Sequence, residues 1–211
     1  MKSILTFFIN NINFFKINSH FSMIKGSHNT MTYLDPDNKI INLFKWIYKC
    51  QSKTIIEQYG EGYRCFDLRV KRKNNRWIFA HGLYETSRHT WEEVLNKFNA
   101  LAVLNNTKIY IRIILEISKY NKESEDEFIK FCKNVKERYS PSLIFFGGRR
   151  KYDWKELYDF GFHPLVEQFV GSMKSWYGKI WPWLYSFFNK KRDLEKASSY
   201  NDDVICLFDF I

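Results

Sequence analysis

The chain has 211 residues, 45% of them hydrophobic and 27% charged, the balance of a soluble globular domain long enough for a large core. Its formal net charge of +10 points to anionic partners, whether phosphate esters, an acidic membrane surface or nucleic acid, and does not choose among them. Cys50, Cys65, Cys132 and Cys206 are far apart with no C-x-x-C spacing, so neither a zinc site nor a thiol redox pair is signalled. No run approaches the ~18 consecutive apolar residues of a membrane-spanning helix.

Residues 1–19, rich in Phe, Ile and Asn, read as a low-complexity extension, and residues 20–211 as one domain. Met1-Lys2 and the apolar run from Ile4 to Ile9 give a faint signal-peptide look. Asn10, Asn11 and Asn13 interrupt it and no small-residue cleavage site follows, so the expected location is cytoplasmic or peripheral to a membrane, with secretion disfavoured. Met23, directly before the first organised strand, is an alternative start. Phe21 to Lys25 is a strand candidate ended by Gly26, and Asp35-Pro36-Asp37-Asn38 is a turn. From Ile41 to Tyr59, Phe44, Ile47, Tyr48, Ile55 and Ile56 fall at mostly helical spacing and predict a helix closing at Gly60 and Gly62.

The strand predicted from Tyr63 to Val70 alternates Phe66, Leu68 and Val70 with Asp67 and Arg69, which places the apolar set on one face and the charged pair on the other. A basic, Asn-rich turn leads to a second strand, Arg76 to His81. Thr90-Trp91-Glu92-Glu93 is a capping box, followed by a helical face of Val94, Leu95, Phe98, Leu101 and Ala102. Lys108 to Glu116 reads as a strand buried on both faces, with Arg112 and Glu116 as its exceptions. Ser124 to Glu127 repeats the capping-box signal before Phe128, Phe131, Cys132 and Val135. Leu143 to Phe146 and Val204 to Phe210 are the remaining strands.

Strands alternating with capped helices predict a mainly parallel sheet. His28, Asp67 with Arg69, His81, Glu116 and Asp209 all fall at or just past C-terminal ends of predicted strands, and in a (β/α) barrel those ends converge on one face. The expected fold is therefore α/β: a distorted, compact (β/α) TIM-type barrel of mainly parallel strands, lean against the usual ~250 residues.

Cleaving a phosphodiester through a neighbouring hydroxyl needs a base, an acid for the leaving alkoxide, and positive charge at the phosphoryl oxygens. His28, His81 and Arg69 supply those types, and Asp67 and Asp209 are placed to orient the imidazoles. Simpler readings stand beside these: Asp67 as a structural partner of Arg69 or Arg64, Glu116 neutralising Arg112, and Arg149-Arg150 as a solvated turn instead of a phosphate contact. His20, His89 and His163 have no supporting motif.

The blocks Gly26-Ser27-His28-Asn29-Thr30-Met31, Cys50-Gln51-Ser52, Ile56-Glu57-Gln58, Gly62-Tyr63-Arg64-Cys65-Phe66-Asp67-Leu68-Arg69 and Ala80-His81-Gly82 resemble, in order and spacing, the X-domain of phosphatidylinositol-specific phospholipase C. The resemblance covers roughly residues 23 to 83. Beyond them, Ile114-Leu115-Glu116 and Leu207-Phe208-Asp209-Phe210-Ile211 match more loosely. It implies a distorted (β/α) barrel, His28 as general base steadied by Asp209, and His81 as general acid paired with Asp67. Arg69 stands where the metal-independent bacterial enzymes carry arginine, so no cofactor is expected. Asn29 and Glu116 are similar to the calcium-dependent type, and if calcium is used its ligands are Asn29, Asp67 and Glu116. Asn29, Glu116, Arg112 and Arg149 are the expected substrate contacts.

The implied partner is a phosphodiester lipid. The stretch Trp176 to Arg192, with its aromatics beside Lys174, Lys179, Lys190, Lys191 and Arg192, is a candidate contact with an anionic membrane. Two other readings are a glycerophosphodiester phosphodiesterase, whose His-Arg-Gly start and Glu-x-Asp pair are absent, and an inactive barrel serving as a basic membrane- or nucleic-acid-binding module, with nucleic acid disfavoured.

Overall fold

A computed structural model describes residues 24–116, 122–139, 141–149, 167–170, 181–197, 199 and 204–209. Its strands are β1 (Ile24–Ser27), β2 (Cys65–Lys73), β3 (Arg76–His81), β4 (Tyr84–Thr86), β5 (Ile109–Leu115), β6 (Leu143–Arg149), β7 (Glu167–Val170) and β8 (Val204–Phe208). The helices are α1 (Lys39–Leu43), α2 (Ile55–Gly60), α3 (Trp91–Leu104), α4 (Lys122–Tyr139) and α5 (Pro182–Ala197). None of the described helices is long and apolar enough to cross a membrane.

One curled sheet holds all eight strands, with the parallel path β7-β8-β1-β2-β5-β6. The long β2 gives one edge to β5 from Cys65 to Val70. Its other edge takes β1 at Cys65 and Phe66, then β3 in antiparallel register from Val70 to Lys73. The expected α/β architecture with a mostly parallel sheet holds. The hairpin β3–β4 is antiparallel, however, and no ladder joins β6 to β7 among the described residues, so what is described is a half-barrel of mixed strands and not a closed ring.

The alternation in β2 sorts its side chains as expected. Phe66, Leu68 and Val70 enter the main core under α3, where the Phe66 and Phe98 rings lie 4.4 Å apart. Cys65 instead belongs to a small inner cluster with Phe146, Ile205 and Leu207, and Asp67 and Arg69 continue on that inner face. The Thr90–Glu93 capping box starts α3 and buries Val94, Leu95, Phe98 and Ala102. Gly147, at φ 135°, lets β6 approach β5 so closely that a Cβ there would lie 2.0 Å from the Ile113 carbonyl oxygen.

Two helix expectations change. The Ile41–Tyr59 stretch is α1, a 3₁₀ turn at Lys45–Ile47, an irregular segment, and then α2. The Asn38 side chain caps α1, and a capping box of Thr54 with Glu57 starts α2 afresh, so local caps override the helical spacing. Between them Thr32 Oγ1 accepts from the backbone N–H groups of Cys50 (2.9 Å) and Gln51 (3.1 Å), fastening the irregular segment beside β1. Phe44, Ile47 and Ile56, the apolar positions at helical spacing, are 49%, 38% and 50% exposed. Helix α4 begins at Lys122, so Ser124 and Glu127 lie within it, and Glu127 pairs with Arg72 of β2.

Candidate active site

β1 ends at Ser27, and the next residue prolongs its ladder: the His28 N–H donates to the Phe208 carbonyl at 2.9 Å. Gln51 Nε2 donates to the carbonyl oxygens of both His28 and Phe208, 2.8 Å each, clamping the ends of β1 and β8 together. Asn29 then turns the chain at φ 49°, a left-handed conformation that Asn tolerates better than most residues. These constraints leave the His28 side chain 5% exposed.

Asp209, directly after β8, accepts at Oδ1 from His28 Nδ1 at 2.7 Å, and Ser186 Oγ holds the Asp209 carbonyl at 2.9 Å. His28 Nε2 lies 2.9 Å from Arg69 Nη2. A guanidinium only donates, so Nε2 is the ring acceptor and the proton sits on Nδ1, directed at Asp209. That tautomer turns the Nε2 lone pair toward the Arg69 guanidinium.

Asp67 is fully buried and fully used. Its Oδ1 accepts from Arg112 Nη1 at 2.7 Å, and its Oδ2 from Arg69 Nε at 3.3 Å and from the Asn29 N–H at 3.1 Å. Burial alone would raise this carboxyl, but Arg112, Arg69 and His28 hold it well below the usual carboxylate range. Burial would likewise depress Arg69, and Asp67 and Glu116 more than offset it, leaving a firmly charged guanidinium. Arg69 Nη1 donates to Glu116 Oε2 at 3.4 Å, while Glu116 Oε1 accepts from the Gly82 N–H at 3.2 Å. Glu116 thus ties the end of β5 to the turn after His81.

His81 closes β3, its ring centroid 6.5 Å from that of His28 at an interplanar angle of 72°. Its Nε2 lies 3.3 Å from Asn29 Nδ2, and its buried Nδ1 has no hydrogen-bond partner among the described residues. Burial, then the charge of Arg69, lower this imidazole to about 3, so it is neutral near pH 7.

The structure therefore gathers His28, Asn29, Asp67, Arg69, His81, Arg112, Glu116 and Asp209 around one point. The pairing within the group differs from expectation. Asp67 serves Arg112 and Arg69, and the Asn29 amide faces His81 in its place. Arg112 is bound to Asp67 with its side chain only 14% exposed, a support for that carboxylate more than an open contact for substrate. Glu116 pairs with Arg69 and not with Arg112. Arg69 lies between the Asp67 and Glu116 carboxylates, so Asn29, Asp67 and Glu116 do not offer a calcium ion a vacant oxygen cage. Arg149 ends β6 in register with Leu115, its side chain outside the described residues, as are His20, His163 and Arg150. His89 lies on the surface, 3.2 Å from Glu93. Gln51 and Cys50 were not expected in the site. Cys50 Sγ accepts from Asn29 Nδ2 at 3.1 Å, and the only sequence signal for either residue was their place in one of the resembling blocks.

No protein-family model matches the sequence, and no curated protein matches it. Among solved structures, phosphatidylinositol-specific phospholipase C from Listeria monocytogenes superposes with a TM-score of 0.59 over 89% of this chain and 87% of that one, at 16% identity. The fold is that of bacterial phosphatidylinositol-specific phospholipase C. Two structures of the Staphylococcus aureus phospholipase agree. One, a variant, has a TM-score of 0.60 over 90% of this chain and 86% of that one at 14% identity. The other, from work on modulation of membrane binding, has 0.58 over 92% and 89% at 13%. At such identities the likeness to these phospholipases is one of fold, and the chemistry rests on the residues described above.

Proposed function

We propose that the chain is a phosphodiesterase of the phosphatidylinositol-specific phospholipase C kind, cleaving a phosphodiester lipid with a hydroxyl next to the phosphate. The observation that carries this reading is His28, fixed between Asp209 and Arg69, with a second histidine 6.5 Å away across the same cluster.

His28 Nε2 takes the proton of the neighbouring hydroxyl, whose oxygen attacks phosphorus. Asp209 stabilises the imidazolium through Nδ1–H, and Arg69 faces the charge on the phosphoryl oxygens. As the ring closes, the bond to the lipid oxygen breaks and that oxygen takes a proton from His81. The product is a cyclic phosphate, which water opens with the two histidines in exchanged roles. An anionic phosphodiester beside His81 opposes the lowering by Arg69, so protonation of His81 accompanies substrate binding. Arg69 already supplies a fixed cation at the phosphate, and the reaction is proposed to run without calcium.

A lipid surface is supported by what lies between Thr32 and Cys50. Ile40, Leu43, Phe44 and Trp46 are 67%, 75%, 49% and 44% exposed, with Lys39, Lys45 and Lys49 among them, on a loop that leaves from and returns to the site. Leu83, two residues after His81, is 74% exposed. In the expected membrane stretch, residues 176–180 lie outside the described set, and the part within α5 exposes Phe187 and Phe188. The test is release of water-soluble phosphate ester from phosphatidylinositol vesicles with EDTA and with calcium. Release in EDTA is expected, and none under either condition rejects that lipid as substrate.

A further inference from the structure

Cys50 is the one nucleophilic side chain in the site that the proposed reaction does not use. Its thiol is fully buried, and its sulfur lies with a His28 ring nitrogen and an Asp209 carboxylate oxygen in a set of three donor atoms all within 4.8 Å of one another. We infer that His28, Cys50 and Asp209 form a binding site for a thiophilic divalent cation of the zinc class, and that filling it disables His28.

The geometry is close to what such an ion requires. Tetrahedral zinc at about 2.0 Å from nitrogen and oxygen and about 2.3 Å from sulfur keeps its ligand atoms roughly 3.3 to 3.7 Å apart. From spacings of at most 4.8 Å, closing the sulfur edges by up to about 1.5 Å reaches that. The edge between His28 Nδ1 and Asp209 Oδ1, a 2.7 Å hydrogen bond, opens by about 0.6 Å when an ion replaces its proton. The Asn29 amide borders the set, its Nδ2 3.1 Å from Cys50 Sγ and 3.4 Å from His28 Nδ1. Its Oδ1 is buried with no hydrogen-bond partner among the described residues, and a half-turn of the amide presents that oxygen as a fourth donor. Thiol, imidazole and a single carboxylate select against calcium and magnesium, which take oxygen shells.

Charge also favours occupation. A thiolate buried alone beside the Asp209 carboxylate is costly. With a divalent cation present, one thiolate and one carboxylate make a neutral group. Binding releases one proton, from the Cys50 S–H to solvent, and the Nδ1 proton of His28 moves to Nε2 as the Arg69 guanidinium turns aside. A protonated Nε2 can no longer accept the proton of a substrate hydroxyl. The binding claim stands on geometry alone, and its inhibitory consequence rests on the phosphodiesterase reading.

The experiment titrates the whole metal-free chain with Co²⁺, following the near-ultraviolet sulfur-to-cobalt charge-transfer band, and then displaces it with Zn²⁺. The expected result is one equivalent bound, loss of the band in Cys50→Ser, and about tenfold tighter binding per unit rise in pH, because one proton leaves. No band, or an undiminished band in a folded Cys50→Ser, overturns the site. Asp209→Asn is the second variant: at least a tenfold loss of affinity with the band kept is expected, and unchanged affinity also overturns it. In the vesicle assay, turnover undiminished at saturating Zn²⁺ overturns the inhibitory half. A cobalt band in a protein without turnover counts against the phosphodiesterase reading and leaves the metal site standing.

Discussion

Replacing Asn29 by Asp tests the neutral state of His81 directly. The substitution puts a carboxylate where an amide now stands 3.3 Å from His81 Nε2. At that distance a unit charge pair is worth about 5 kcal/mol at an effective dielectric constant of 20 and about 1 kcal/mol in bulk water. With roughly 1.4 kcal/mol per pKa unit, the imidazole rises by about 1 to about 4 units. Asp209 and Asp67 repel the new charge and bring the result toward the lower half of that range. From a starting value of about 3, His81 then titrates between about 4 and about 6. NMR titration of the histidine ring protons, with His81→Gln to assign the signal, measures both values. With His81 as the proposed general acid, a raised pKa keeps it protonated to higher pH, so the basic limb of the kcat/KM profile is expected to move upward in the same variant. A His81 that titrates near 6.5 in the wild type, or that does not move in Asn29→Asp, would refute the reasoning.

The same lowered pKa makes a stability prediction. His81 binds its proton more weakly folded, at about 3, than unfolded, near 6.5, so the unfolded state takes up more protons as pH falls between these values and stability is lost in that direction. From pH 7 to pH 5 this costs about 2 kcal/mol, read as a lower urea midpoint, and His81→Gln removes that part of the slope. A slope unchanged by the substitution would contradict the burial of a neutral imidazole. Arg69→Lys keeps the charge but loses the fork that reaches Asp67, Glu116 and His28, and about a 10²- to 10³-fold lower kcat is expected in the vesicle assay. Turnover within a factor of about three of wild type would show that the fork is not required. Trp46→Ala, at a position 44% exposed, should leave the melting temperature within error and weaken sedimentation with anionic vesicles about tenfold. Equal sedimentation would remove the loop between Thr32 and Cys50 from the membrane contact.

What was legible in the sequence follows from how local each signal is. The period of two in β2 gave its two faces, and the Thr90–Glu93 box gave the start of α3, because both depend on neighbouring residues. The stretch from Ile41 to Tyr59 misled because helical spacing persists across two restarts, and the caps at Asn38 and Thr54 decide where helix forms. β4 has three residues and β7 four, too short for any period to register. In the site, residue types were readable and partners were not. Alternation put Asp67 on the inner face, but the β2–β5 register, which sets Asp67 opposite Arg112, decides what neutralises it. Asn29 meets His81 only because a left-handed residue after β1 swings its amide across the half-barrel. Cys50 and Gln51 reach the site through Thr32, a contact with no sequence signature.

In the proposed reaction two histidines on opposite sides of one phosphate pass a proton in and a proton out through a cyclic intermediate. Phosphorus NMR of phosphatidylinositol dispersed in detergent, followed in EDTA, tests it most directly. A cyclic phosphodiester signal is expected to grow first and a monoester signal later, with both absent in His28→Ala and in His81→Ala. A monoester that forms from the start with no cyclic phase, or turnover that survives in His28→Ala, would contradict it.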